Sequence, residues 1–569
     1  MLIKTPIRLF KLCLIWPNEI YMTNFSKKFI IIFCLVLVVC GLRRAAAQKQ
    51  AADTSKKAGR VILSMNPENP DTVFTANAYF TVNLLSTFPT DKSGTLSYVI
   101  TGAGGKKVKA ESQHVKLTST CPIGYPFSIP VLHSGNYKIG FTLALSGYQD
   151  TISNTFIIKG QEERPDSAII MSLSPHSSDG IFATNAAYTL SVSSTFPSAQ
   201  KATLSYLVTT EAGKKVRADS IHVSVASRGT ASYDFNIPPV QPGFYKISFM
   251  VNNEFYTDTL RKAFGIRPQL VHSQHGKPAD FEAFWQRAKT ELAKVKPEYK
   301  VTEIANCRDN RRVFEVEMKS LDGLLIRGFL TEPKTHNKGK KFAVLLGLPG
   351  YQVPLGPMYG TDPDIAIFTL NIRGSGYSRD VINVRRESYI VLNLEDKNRY
   401  VLRGAIMDCV RAVDFIFSRP ELRHDNIIAA GGSLGGFLAL ATCGVDPRIS
   451  FCSAANPILC DVRNLPHEVD WPLIDINLYI KTRPELTMDK VMDNLDYFDG
   501  KNFASDIKCK TLVGMGMVDN IAPPDHVYAA YNDLNTDKHI IIFRDLAHEI
   551  GRWYNVYEGR WMRDTFALF

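Results

Sequence analysis

The sequence has little of what would place it in several large protein classes. It has no CxxC pair and no Cys/His spacing suited to a metal. It has no basic stripe with interleaved aromatics, so nucleic acid is not an expected partner. Its apolar run, Phe29 to Leu42, is too short for a comfortable membrane span. The 569 residues are 45% hydrophobic and 21% charged, which excludes a disordered, collagen-like or multi-span membrane chain. At roughly 150 residues per domain, three or four domains are expected.

The formal net charge of +11 would ordinarily raise an acidic partner. Much of it lies in the first 47 residues, which hold Lys4, Arg8, Lys11, Lys27, Lys28, Arg43 and Arg44 against Glu19. Lys27 and Lys28, the apolar run, and then Ala45, Ala46 and Ala47 follow the order of a secretory signal peptide, with Met22 as an alternative start. Arg43 and Arg44 argue instead for retention as an anchor, and a lipid on Cys40 would need a smaller residue than Val39. Residues 1–47 are therefore expected to be a signal peptide or N-terminal anchor, with 48–59 a linker. The expected location is periplasmic, secreted or cell-surface, with anchoring through 29–42 as the variant. Ten cysteines fall to seven without this segment: Cys121, Cys307, Cys409, Cys443, Cys452, Cys460 and Cys509. Most sit in apolar stretches and are expected to be buried small hydrophobes; a disulfide pairing cannot be read.

Residues 60–160 recur at 168–268 with a constant offset of 108 and no gap. LSYVITGAGGKKVKAES at 96–112 returns as LSYLVTTEAGKKVRADS at 204–220, and GNYKIGF at 135–141 as GFYKISF at 243–249. Each copy alternates apolar and polar residues, is rich in β-branched and aromatic types, and is punctuated by Gly, Pro, Asn and Ser. AGGKK and EAGKK read as hairpin turns, with Lys106, Lys107, Lys214 and Lys215 solvated. Some seven short strands in about 100 residues fit an immunoglobulin-like sandwich. Tyr137 and Tyr245 resemble that fold's tyrosine corner, and Ile139 and Ile247 stand where an antibody domain carries its second Cys, so no inter-sheet disulfide is expected. Such modules bind carbohydrate or a partner, or act as a spacer that shapes access to the next domain. Residues 161–167 read as the linker between them.

From 269 to 569 the pattern changes. FEAFWQRAKTELAKV (281–295) has helical spacing, as do YVLRGAIMDCVRAVDFIFS (400–418) and LGGFLALATCG (434–444). LLIRGFL, FAVLLGL, IAIFTLNI, NIIAAGG, ISFCSAA, TLVGMGM and HIIIF read as strands between and after them. Near-continuous apolar strands alternating with helices imply a mostly parallel sheet with helices on both faces.

Between NIIAAGG and its following helix lies Gly431-Gly432-Ser433-Leu434-Gly435-Gly436, which satisfies G-x-S-x-G. In a nucleophile elbow the Ser occupies a sharp strand-to-helix turn, and the flanking glycines avoid side-chain clashes. The expected fold is thus an α/β-hydrolase, in which the acid and the base follow the Ser in that order. Asp519, after TLVGMGM, and His548, after HIIIF, fall at the right strand ends. Asp525 reads as the N-cap of the helix DHVYAAYNDL, Asp545 as part of the turn before His548, and His526 and His539 as residues of a helix and a strand start. His548-Glu549 does not begin a zinc motif, because position 552 is Arg. The oxyanion of an acyl-transfer intermediate needs two backbone N–H donors. One is expected from Leu434, the other from Pro349-Gly350-Tyr351-Gln352, with Tyr351 preferred and Gln352 second.

Residues 270–569 resemble the acetyl xylan esterase and cephalosporin C deacetylase family. The landmarks are FEAFWQRA, NIRGSGYS, YVLRG with RAVDF, GGSLGGFLAL, DPRIS, NPILCD, MVDNIAPP with HVYAAYN, and AHE. The resemblance implies a carbohydrate esterase with Ser433 as nucleophile, Asp519 as orienting acid, His548 as base, and the Tyr351 and Leu434 amides as the oxyanion hole. This chain has Pro349, Ser375 and Leu434 where the family usually has His, Gln and Gln, and it carries two sandwiches that free-standing members lack. The expected activity is acetyl removal from acetylated sugars, without metal or organic cofactor. The expected partners are an acetylated oligo- or polysaccharide, a membrane at the N-terminus, and further copies of the chain. Two alternatives stand beside it: a prolyl-oligopeptidase-type serine peptidase, which would carry a propeller in front, and a sugar-binding surface protein with an inactive hydrolase domain.

Overall fold

The computed structural model describes residues 61–566 apart from 68–71, 75–77, 87, 89, 103–104, 118–122, 130–134, 159–167, 255–256, 306–309, 335–340, 361, 385–387 and 466–470. The signal or anchor segment 1–47, the linkers 48–59 and 161–167, Cys121 and Cys307 lie outside the described residues.

The first repeat forms strands β1 (Val61–Pro67), β2 (Val73–Phe74), β3 (Ala78–Ser86), β4 (Lys92–Thr101), β5 (Lys107–Leu117), β6 (Ile123–Ile129), β7 (Gly135–Leu145) and β8 (Tyr148–Ile158). The second forms β9 (Ile169–Pro175), β10 (Ile181–Phe182), β11 (Ala186–Ser194), β12 (Gln200–Thr210), β13 (Lys215–Val225), β14 (Thr230–Ile237), β15 (Gly243–Asn253) and β16 (Thr257–Ile266). Each makes one three-stranded and one five-stranded sheet, in the same order: β1-β3-β6 with β2-β8-β7-β4-β5, and β9-β11-β14 with β10-β16-β15-β12-β13. The two sheets of a copy share one core, so each is a β-sandwich. The period-2 pattern works as read. In β11, Tyr188, Leu190 and Val192 point inward, while Thr189, Ser191 and Ser193 pair across the outer face with Asp234, Ser232 and Thr230. Ile139 and Ile247 are fully buried, and the Tyr245 hydroxyl donates to the Gln241 carbonyl at 2.7 Å. A propeller, which the peptidase alternative requires, is not what precedes the hydrolase.

The remainder is a nine-stranded sheet, β17 (Lys300–Ile304), β18 (Arg311–Lys319), β19 (Leu325–Pro333), β20 (Phe342–Leu348), β21 (Ile365–Asn371), β22 (Leu422–Gly432), β23 (Phe451–Ala455), β24 (Lys510–Gly516) and β25 (Lys538–Phe543). Its order is β17-β18-β19-β21-β20-β22-β23-β24-β25. The six strands from β21 to β25 are parallel, and β17 to β19 form an antiparallel edge. The helices are α1 (Phe281–Ala293), α2 (Val401–Phe417), α3 (Leu434–Val445), α4 (Leu473–Lys481), α5 (Met488–Leu495), α6 (Gly500–Ala504), α7 (Pro524–Asn532) and α8 (Arg552–Phe566). Both sheet faces are covered. In β21, Ala366, Phe368 and Leu370 join the core under α1, α2 and α3, while Ile365 and Ile367 join the one under Tyr554 and Phe566 of α8. No helix among the described residues is long and apolar enough to cross a membrane.

The second sandwich is docked on the hydrolase. Phe244 inserts into the hydrolase core against Tyr528, with ring centres 5.2 Å apart, and its N–H donates to Asp525 Oδ1 at 2.9 Å. Asp525 is therefore not the N-cap of α7: Pro523 holds that position, and the Asp525 carboxylate reaches across to the neighbouring module. Lys262 adds an ion pair to Asp545 at 2.6 Å.

Within the hydrolase, a buried ion pair fixes the loop after β21. Arg373 donates to both oxygens of Asp408 on α2, at 2.8 and 3.0 Å, and Asp408 also accepts the Arg373 N–H. The guanidinium crosses α2 at Gly404, where a Cβ would lie 2.2 Å from it, which accounts for a glycine inside a helix. Removing one partner of such a pair leaves an uncompensated buried charge. Asp408→Ala is expected to destabilise the hydrolase by about 3–5 kcal/mol, measured as a shift in the urea unfolding midpoint.

Candidate active site

Ser433 joins the end of β22 to the start of α3 at φ 59° and ψ −122°, a backbone conformation that non-glycine residues adopt only under constraint. The constraint is close packing. A Cβ on Gly431 would lie 2.6 Å from the Gly435 backbone, and one on Gly435 would lie 2.5 Å from the Leu348 carbonyl at the end of β20. Gly436 is pressed against the Ala455 carbonyl, and Gly432 faces the Ile550 side chain. The Ser433 N–H donates to the Ala455 carbonyl at 2.9 Å, tying the elbow to β23.

Asp519 and His548 follow β24 and β25 and meet at the elbow. The His548 Nε2 is 2.8 Å from Ser433 Oγ, and its Nδ1 is 2.7 Å from Asp519 Oδ2. Asp519 is buried, and its other oxygen accepts the N–H groups of Ile521 and Ala522 at 2.8 and 2.9 Å. An ionised carboxylate can only accept, so the imidazole donates from Nδ1 and turns its Nε2 lone pair to the Ser433 hydroxyl. The other candidates stand apart from this chain of hydrogen bonds. Asp545 lies in the turn before His548 and pairs with Lys262, His526 is buried on α7, and His539 lies at the start of β25.

Two positions that hold His548 carry little sequence signal. Gly516 ends β24 beneath the His548 loop, where a Cβ would lie 2.3 Å from the Ala547 carbonyl and 2.4 Å from that of Leu546. Asn456, after β23, donates from Nδ2 to the Glu549 carbonyl at 2.9 Å. Asn456 falls within the NPILCD landmark; the need for glycine at 516 exists only once the two loops are seen to cross.

The loop after β20 flanks the elbow on its other side. Gly350 packs toward the Gly432 carbonyl, and a Val353 N–H to Gly350 carbonyl bond closes the turn that carries Tyr351 and Gln352. The Tyr351 ring packs on Trp471 at 4.8 Å, and its hydroxyl bonds Ser388 Oγ at 2.8 Å. The Leu434 amide opens α3, where helix N–H groups lack intrahelical acceptors and the dipole favours negative charge. The resulting pocket has a volume of about 460 Å³ and is lined by Ser433, His548, Gly350, Asn456, Ile550 and Glu558 among others. Burial pushes the Glu558 carboxyl above its ordinary range, and it accepts from Ser453 Oγ. Among the described residues no group of three or more His, Cys, Asp or Glu is placed to hold a metal. Cys409, Cys443, Cys452, Cys460 and Cys509 carry free thiols, all buried except the half-buried Cys509.

A nucleophile elbow with a hydrogen-bonded Ser, His and Asp on a mostly parallel sheet defines the class of serine hydrolases. Residues 269–564 match the model of the acetyl xylan esterase (AXE1) family, and the chain belongs to that family. It is accordingly a carbohydrate acetyl esterase. The acetyl esterase Axe7A of Xylanibacter ruminicola is 27% identical over 316 residues, which cover 53% of this chain and 70% of that protein. Two solved structures are also similar. The acetyl xylan esterase of Paenibacillus sp. R4 is 27% identical, covers 52% of this chain and 98% of its own, and superposes with a TM-score of 0.49. Acetyl xylan esterase 1 of Thermoanaerobacterium sp. JW/SL YS485 is 24% identical, covers 53% and 98%, and superposes with a TM-score of 0.47.

A methyl group at position 516 must push the His548 loop away from β24. A displacement of about 1 Å at a reacting group costs on the order of 10²-fold in rate. Gly516→Ala is expected to lower kcat on p-nitrophenyl acetate by about that factor, measured in an initial-rate assay. A near-parental rate would show that this close approach does not set the position of His548.

Proposed function

We propose that this protein is an exported serine esterase that removes acetyl groups from acetylated oligo- or polysaccharides through an acetyl-enzyme intermediate. The observation that carries the mechanism is the unbroken hydrogen-bonded chain from Asp519 through His548 to Ser433. Ser433 Oγ attacks the acetyl carbonyl carbon while His548 Nε2 takes the hydroxyl proton. Asp519 holds the ring in the required tautomer and stabilises the imidazolium. The carbonyl π electrons move onto oxygen, and the amides of Tyr351 and Leu434 donate to that oxyanion. On collapse the bond to the sugar oxygen breaks, and His548 returns its proton to the departing hydroxyl. Water, deprotonated by His548, then attacks the acetyl carbon. Acetate leaves, and Ser433 recovers its proton.

In this reading residues 1–47 direct export or anchoring, 60–160 and 168–268 are immunoglobulin-like sandwiches, and 269–569 is the hydrolase. The immunoglobulin-like assignment is supported by the paired sheets of each copy and by the Tyr245 hydroxyl bond to the chain four residues upstream. Export is supported by the order of charge, apolar run and small residues at the N-terminus.

Ser433→Ala is expected to lower acetate release from acetylated xylan by about 10⁴–10⁶-fold, and a fluorophosphonate should label Ser433 in the parent enzyme. Asp519→Asn, which keeps the shape but permits the wrong tautomer, is expected to cost about 10⁴-fold in kcat. Near-parental cleavage of p-nitrophenyl acetate by Ser433→Ala would sink the mechanism.

A further inference from the structure

A second cavity beside the site is larger than the one that holds Ser433. A space of about 1080 Å³ lies between the first sandwich and the hydrolase. Its outer wall is built from β1 and from the start of β8, with Tyr148, Asp150 and Ile152. Its inner wall is the oxyanion loop, with Gln352 and Val353, and the turn that carries Arg379. Val353 also lines the 460 Å³ pocket around Ser433, so the two spaces adjoin at that residue.

Three features say what such a space would take. The first is size. Pockets for drug-sized molecules run from about 300 to 1,000 Å³, so the smaller pocket suffices for an acetyl ester and the sugar ring that carries it. The larger volume is left for more of the same molecule. The second is chemistry. Tyr148, Ile152 and Val353 offer apolar surface, while Asp150, Gln352 and Arg379 offer a carboxylate, an amide and a guanidinium. Sugar rings present apolar C–H faces edged by hydroxyls that both donate and accept, and they need both kinds of surface. The third is the lining of the smaller pocket. Val353, Met358 and Ile550, all exposed, line the Ser433 pocket and give it apolar walls beside its polar groups. Gln352, next to Val353 in the same loop, lines the larger space with φ 57°, a left-handed conformation.

We infer that the first sandwich is the outer wall of a glycan-binding cleft that continues from the active site. The enzyme then deacetylates an oligosaccharide chain lying between the two modules, in preference to an acetylated monosaccharide. This rests on the deacetylase reading above and adds the length of the substrate and a binding role for the first repeat. Asp150 and Arg379 are exposed on opposite walls, so both can be changed without opening a core.

The test compares acetylated xylose, xylobiose and xylotetraose as substrates of the full chain, with acetate release as readout. The expected result is a kcat/KM at least about tenfold higher for the tetraose than for xylose, carried by KM. Asp150→Trp, which fills the cleft from the sandwich side, should remove that gain, and Arg379→Ala, on the hydrolase side, should reduce it. Calorimetric titration of unacetylated xylotetraose into the same proteins should show binding to the parent, weakened about tenfold or more by Asp150→Trp. Equal kcat/KM for xylose and tetraose would overturn the proposal. So would a length gain that survives both substitutions in proteins of parental melting temperature, or an absence of tetraose binding together with a dimer in sedimentation, which would assign the cleft to a second copy. Failure of the deacetylase reading looks different: the parent cleaves p-nitrophenyl acetate but releases no acetate from any glycan, while titration still reports on the cleft.

Discussion

Everything in the site depends on a backbone held where it would not rest by itself. Ser433, at φ 59°, stores about 1–3 kcal/mol of local strain, and that strain is held in place by the close approach of α3 to the ends of β20, β22 and β23. Gly435 lies against the Leu348 carbonyl, Gly436 against the Ala455 carbonyl, and the Ser433 amide is bonded to that same Ala455 carbonyl. The buried face of α3 is almost wholly apolar, so the force that seats the helix is ordinary burial. Core packing thus fixes where the hydroxyl points, and the loops that bring His548 and Asp519 have a stationary target.

Those loops are themselves tied to one another. The Val518 N–H donates to the Leu546 carbonyl, and the Met517 N–H to that of Phe543, so backbone hydrogen bonds join the segments that carry Asp519 and His548. Asn456 secures the far side of the His548 loop from the strand that also receives the elbow. The histidine loop is held by contacts from three neighbouring strand ends, which agrees with the general rule that sites on open α/β sheets gather at the carboxyl ends of strands.

The central strands were legible because burial on both faces leaves a near-continuous apolar run, as in IAIFTLN of β21. The sandwich strands were legible by their alternation and by the repeat. Of the antiparallel edge only β19 was, as LLIRGFL; β17 and β18 were not. KVTEI, the edge strand, and RRVFEVEMK beside it are rich in charge, and a charged strand reads as loop when no partner is in view. Asp525 was misread for a related reason: an acidic residue at a helix start satisfies the capping pattern, and nothing local announces that Phe244, far away in the chain, offers its N–H instead. Ser433, Asp519 and His548 could be singled out because a motif and a chain order point to them. Gly516 could not, since its requirement is a distance between two loops.

Phe244 has one more consequence. Its counterpart in the first repeat, in the otherwise similar GNYKIGF, is Asn136, which is exposed. Duplication produced two modules of one fold, and the identity of one side chain separates their fates. An aromatic ring gives the second copy a hydrophobic peg in the hydrolase core, while an amide leaves the same place on the first copy in water. The tandem therefore shows two different surfaces at one structural position: the second module is built into the enzyme's body through an aromatic ring, and the first faces the hydrolase across an open space.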